Sequence, residues 1–127
     1  EMRQKMRDHL LPADAEAGPD PYFDLKHGSG GIVDIEFVVQ FAVLAWAHDH
    51  PSLSQWTDNI RILESLQRVG LLEEKECQGL IEAYKSYRAQ AHRLALQQEK
   101  GRVDAGMFVA ERALVTSVWR RMMENPV

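Results

Sequence analysis

The chain has 127 residues, enough for one domain with its own core, and its 45% apolar content is ordinary for a globular protein. A net charge of −4 with no dense Lys/Arg run argues against a nucleic-acid surface. No stretch has the roughly 18 consecutive apolar residues of a membrane span, and the single cysteine, Cys77, excludes an internal disulfide and fits a reducing cytoplasm.

Glu1 to Leu11 has a helical pattern, with Met2, Met6 and Leu10 at i, i+4 and i+8, and Pro12 ends it. The chain opens in mid-pattern without a signal peptide, so a single domain over residues 1–127, cut from a longer protein, is expected. Ala13 to Pro21 reads as a surface loop. Tyr22 to Lys26 alternates weakly and is expected to be a short extended piece, its pairing partner in a sheet outside this chain.

A glycine cluster, Gly28, Gly30 and Gly31, then opens an apolar run from Ile32 to about His48 that Pro51 stops. The run is apolar on nearly all sides, which predicts a helix in the middle of a bundle. A further helix is expected over Asp58 to Val69, capped by Ser54 or Thr57, with Ile60, Leu63, Leu66 and either Val69 or the flanking Ile62 inward and Gly70 at the left-handed position after its end. A long helix begins with Glu73 and Glu74 in its first turn. It carries Cys77, Leu80, Ile81, Tyr84, Tyr87, Ala91, Leu94 and Ala95 at spacings of three and four. Asp104 is expected to cap a last helix, Ala105 to Met123, with Phe108, Leu114, Val115, Val118, Trp119 and Met122 inward. The fold class is an all-α bundle of about five helices, with no strand expected outside residues 20–27.

Two readings of the glycine cluster stay open. Consecutive amides at a helix N-terminus can cradle phosphates, with Lys26 supplying charge; equally, the glycines can make a tight turn into a buried helix. Asp34 and Glu36, two apart, point to opposite sides of a helix and cannot chelate one metal together, so Gly28-Ser29 followed by Asp34-Ile35-Glu36 is not the metal-holding signature of polymerase-β-like nucleotidyltransferases. Glu36 and Gln40 share a face. Arg61, in Asp58-Asn59-Ile60-Arg61, is the preferred partner for either acid, with Arg93 second. The histidines show no metal spacing.

Several segments carry a family resemblance: EMRQKMR at residues 1–7, FDLKHGSGGIVDIEFVVQ at 23–40, WTDNIRILESL at 56–66, HRLALQ at 92–97 and AERALV at 110–115. They resemble the C-terminal end of bacterial glutamine synthetase adenylyltransferase, the bifunctional adenylyl-removing enzyme; the PII uridylyltransferases share a similar helical domain. The resemblance implies a helical domain after the adenylylating catalytic domain of an enzyme that uses Mg2+ and ATP to move AMP to a tyrosine of glutamine synthetase. It also implies removal of AMP by phosphorolysis, with glutamine and the PII signal protein setting the balance. Lys26, Gly30, Gly31, Asp34 and Glu36 are then the nucleotide-proximal candidates, and Gln40, Asp58, Asn59 and Arg61 a supporting polar network. No catalytic residue, metal site or tightly bound cofactor is expected within the chain, because the metal-holding carboxylates lie upstream. The alternative is a regulatory or docking module that binds PII or glutamine synthetase without touching nucleotide.

Overall fold

The computed structural model describes residues 21–54 and 58–124. The expected helix at 1–11, the loop before Pro21 and Trp56 lie outside them. The described elements are strand β1 (Tyr22–Asp24), helix α1 (Ile32–Trp46), a 3-10 turn (Pro51–Ser54), α2 (Asn59–Arg68), α3 (Glu74–Leu96), strand β2 (Arg102–Asp104) and α4 (Val109–Glu124). The bundle is all-α apart from this two-stranded sheet.

Helix α1 packs against all three other helices and the 3-10 turn, which makes it the hub among the described elements. Its inner face is Asp34, Ile35, Val38, Val39 and Ala42. The opposite flank is open, with Gln40 exposed and Leu44 84% accessible, so the helix is central without being enclosed. Helix α2 begins one residue later than expected, and its cap is Asp58, whose Oδ1 accepts the Ile60 amide at 2.9 Å. The inward residues of α2 are Ile62, Leu63, Ser65 and Leu66; Ile60 and Val69 are half-buried. Gly70, at φ +87°, occupies the left-handed position expected of it.

Helix α3 starts with the Glu73 amide donating to Glu76 Oε1 at 3.1 Å, and Glu76 also holds Arg121 of α4 through two contacts of 2.8 Å. Cys77 is fully buried; its thiol donates to the Leu63 carbonyl at 3.4 Å, and burial pushes its pKa up, with Glu64 adding to the shift. Cys77 is thus a small core residue.

Three expectations are corrected. The partner of β1 lies inside this chain: Tyr22, Phe23 and Asp24 pair antiparallel with Asp104, Val103 and Arg102. Phe23 and Val103 face the core, while the Arg102 guanidinium covers the Tyr22 ring at 4.1 Å. Residues 102–104, where the sequence gives no expectation of a strand, are therefore one. Asp104 closes a tight turn, its Oδ1 accepting from Gly106 at 3.1 Å and its carbonyl from Met107 at 2.9 Å, so the last helix starts at Val109 rather than Ala105.

Candidate functional site

The entry to α1 is a folded knot of backbone hydrogen bonds. Asp24 Oδ1 accepts the amides of Lys26 (2.9 Å) and His27 (3.0 Å), and the Asp24 carbonyl accepts Gly28 (2.8 Å). Gly31 donates to the Gly28 carbonyl (2.9 Å), Ile32 to Leu25 (2.9 Å) and Val33 to Lys26 (3.0 Å). Asp34, 3% exposed on the first turn of α1, reaches back so that its Oδ2 accepts the Gly30 amide at 2.8 Å. A carboxylate there also sits favourably on the positive end of the helix dipole.

The amides a phosphate cradle would offer, those of Gly28, Gly30, Gly31 and Ile32, are thus engaged within the turn. The glycines serve close approach instead. Gly30 adopts φ +84°, and a Cβ there would lie 2.7 Å from the carbonyl oxygen of Arg112 and 2.9 Å from its Cα. The turn is pressed onto the backbone of α4.

Lys26, Gly30, Gly31 and Asp34 are therefore gathered in one turn, with Lys26 exposed, the two glycines and Asp34 buried, and Glu36 half-buried beyond them. Gln40 and Arg61 are exposed. Asp58 and Asn59 belong to a different place, a groove of about 580 Å3 that they line with Tyr84, Lys85 and Arg88. There Asn59 Nδ2 and Arg88 Nη1 both donate to the Tyr84 hydroxyl at 3.0 Å. Asn59 thus ties α2 to α3, while Asp58 caps α2.

A second groove, about 640 Å3, runs between the glycine turn and the outer side of α4. Ser29 closes it from the turn, and Arg112, Thr116 and Arg120 line it from the helix. Arg112 is half-buried: Nη1 donates to the Ala105 carbonyl at 2.7 Å, the guanidinium lies 4.2 Å over the Phe23 ring, and Nε is buried with no acceptor among the described residues. Behind it sits Tyr87, fully buried between Phe23 and Phe108 with its hydroxyl lacking any partner among the described residues. Burial pushes the Tyr87 pKa well up; the charges of Glu111 and Asp34 add to the shift and Arg112 opposes it. Sequence reasoning named none of the arginine groove. Its only signal, Arg112, Thr116 and Arg120 at i, i+4 and i+8, looks like any solvated helix face.

Among the described residues, no group of three or more His, Cys, Asp or Glu is gathered for a metal ion. No helix among them is long and apolar enough to cross a membrane.

Fold and site together define a helical-bundle domain whose hub helix is entered through a glycine turn, with one groove between that turn and α4 and another between α2 and α3. The family model described as GlnD PII-uridylyltransferase matches residues 1–104, and the chain belongs to that family. It is similar to proteins named bifunctional glutamine synthetase adenylyltransferase/adenylyl-removing enzyme: 54% identical to that of Pseudomonas aeruginosa over 96% of this chain and 13% of the relative. The relative from Nitrosococcus oceani is 51% identical over 98% of this chain and 12% of its own length, and that from Hahella chejuensis 43% over 96% and 13%. The chain thus spans about an eighth of the length of these curated relatives.

Proposed function

We propose that this chain is the helical domain following the adenylylating catalytic domain of a bifunctional glutamine synthetase adenylyltransferase, a cytoplasmic regulator of nitrogen assimilation. Its parent moves AMP from ATP to a tyrosine of glutamine synthetase, removes it by phosphorolysis, and answers to glutamine and PII. The observation that carries this reading is similarity of 43–54% over nearly the whole chain to relatives that bear that name. In the parent, the chain's own part is to present the face around Lys26, Gly30, Gly31, Asp34 and Glu36 to the neighbouring catalytic domain. On this reading the domain alone is inactive, because the carboxylates that hold the metal belong to the upstream catalytic domain.

The test is the complete protein with MgATP and glutamine synthetase. AMP should appear on glutamine synthetase, and the 127-residue chain alone should transfer none. Transfer of UMP to a PII-type protein, with no AMP on glutamine synthetase, would place the chain in the other branch of the family and overturn the reading.

The alternative of a docking module gains from one observation: the glycine-turn amides are spent internally, which favours packing over backbone contact with nucleotide. Following the Gly30 and Gly31 amide resonances separates the two. Shifts with MgATP support nucleotide proximity; shifts with PII alone support docking.

A further inference from the structure

The groove on the outer side of α4 carries a charge that no ion pair among the described residues neutralises. It is built from two parallel rows, each with spacing i, i+4, i+8: Val109, Ala113 and Ser117, then Arg112, Thr116 and Arg120. The first row is small and largely apolar; the second is two cations around a hydroxyl. Ser29 adds a third hydroxyl at the end where Gly30 clamps the turn onto α4. Among the described residues, no carboxylate lines the groove.

Neither arginine has an ion-pair partner among the described residues, although Arg121, the next residue, is paired with Glu76. Arg112 is the more telling. Its guanidinium is half-buried and fixed by Phe23 and the Ala105 carbonyl, and the neutral carbonyl does nothing to cancel its charge. A partly desolvated cation with an orphaned Nε–H is costly unless an anion completes it. Among the described residues neither α4 acid, Glu111 nor Glu124, forms an ion pair with Arg112 or Arg120, and Glu111 acts on the buried Tyr87.

We propose that this groove binds a phosphate-bearing ligand of nucleotide size, its phosphates along Arg112, Thr116 and Arg120 and its less polar part against Val109 and Ala113. Eight residues of helix separate the two arginines by about 12 Å along the axis, room for an extended oligophosphate but too far for one phosphate to bridge at both guanidinium forks without side-chain bending. The groove's volume, about 640 Å3, lies within the usual range of ligand sites and well exceeds a bare phosphate ion. The hydroxyls of Ser29, Thr116 and Ser117 supply donors that accept no charge. The inference stands whichever transferase the chain belongs to, so its failure leaves the glutamine synthetase assay untouched.

The experiment follows the Arg Nε–H resonances of the full 127-residue chain while adding ATP, AMP, adenosine and inorganic phosphate in separate titrations, with an acidic polyglutamate peptide as a further arm. ATP should shift Arg112 and Arg120, AMP less, and adenosine not at all; phosphate should compete with ATP. Arg120→Gln, at an exposed position, should weaken ATP at least about tenfold with the rest of the spectrum unchanged. Arg112→Lys keeps the charge but loses the planar fork and should also weaken it. Saturation by inorganic phosphate as tight as by ATP would overturn the nucleotide-sized ligand. Equal response to adenosine and AMP, wild-type affinity in Arg120→Gln, or response to the peptide alone would each overturn the phosphate site, the last marking a protein-docking surface instead.

Discussion

Gly30 and Gly70 share a left-handed φ, yet only one of them is crowded. At Gly70 nothing lies within 4 Å of where a Cβ would be built, so Gly70→Ala meets backbone strain alone and should cost about 1–2 kcal/mol. At Gly30 the added carbon collides with the backbone of Arg112, which cannot swing away as a side chain tip can. Gly30→Ala should therefore cost about 2–4 kcal/mol, strain plus overpacking, as measured by urea unfolding. Equal losses at the two positions would show that the turn does not bear on α4. Tyr87 offers the reverse case. Its hydroxyl is buried without a partner among the described residues, so Tyr87→Phe removes an unpaired polar group and leaves the ring contacts with Phe23 and Phe108 in place. Stability should stay level or rise by up to about 1–2 kcal/mol.

At the scale of elements, Glu76 joins two structures at once, holding the first turn of α3 through the Glu73 amide and reaching Arg121 of α4. Arg121 is 44% exposed, and an exposed pair contributes little, so Arg121→Ala should cost about 0.5 kcal/mol. Glu76→Ala loses the N-terminal contact as well and should cost about 1–2 kcal/mol in the same denaturation assay. Long periodic elements of this kind were legible in the sequence. Ten or more residues of spacing fix α1 and α2 to within two residues, together with the start of α3, and Gly70 marks the end of α2. The failures are short or ambiguous. Arg102–Asp104 is three residues long, and one buried valine gives no alternation to read. Asp104 suits a tight turn as well as a helix cap, and the turn won because the chain must leave β2 and pass through Phe108, at φ +60°, before α4 begins at Val109. Of the candidate site, the clustering around the glycines was readable. The reach of Asp34 to Gly30, and the arginines of α4, were not, because both depend on which backbones are pressed together.

The whole bundle shares one vulnerability to alkali. Cys77 and Tyr87 come from the same helix, both are fully buried, and burial raises both above their ordinary values near 9.0 and 10.0. In the unfolded chain each gives up its proton first. Between the unfolded and folded values the native state therefore holds more protons, and stability falls as pH rises. The contribution is complete below about pH 8 and declines above about pH 9–10, approaching about 1.4 kcal/mol per pH unit for each group. Urea unfolding at about pH 8, 9.5 and 10.5 should show this decline. Lysines and the other tyrosines also titrate in that range, so the informative quantity is the difference between wild type and Tyr87→Phe. With Tyr87 replaced, the part of the slope above pH 10 should flatten while the earlier part, from Cys77, remains; Cys77→Ala should remove the earlier part. Parallel curves for wild type and Tyr87→Phe would mean that water reaches the Tyr87 hydroxyl in solution and that the core behind the arginine groove is looser than its packing implies.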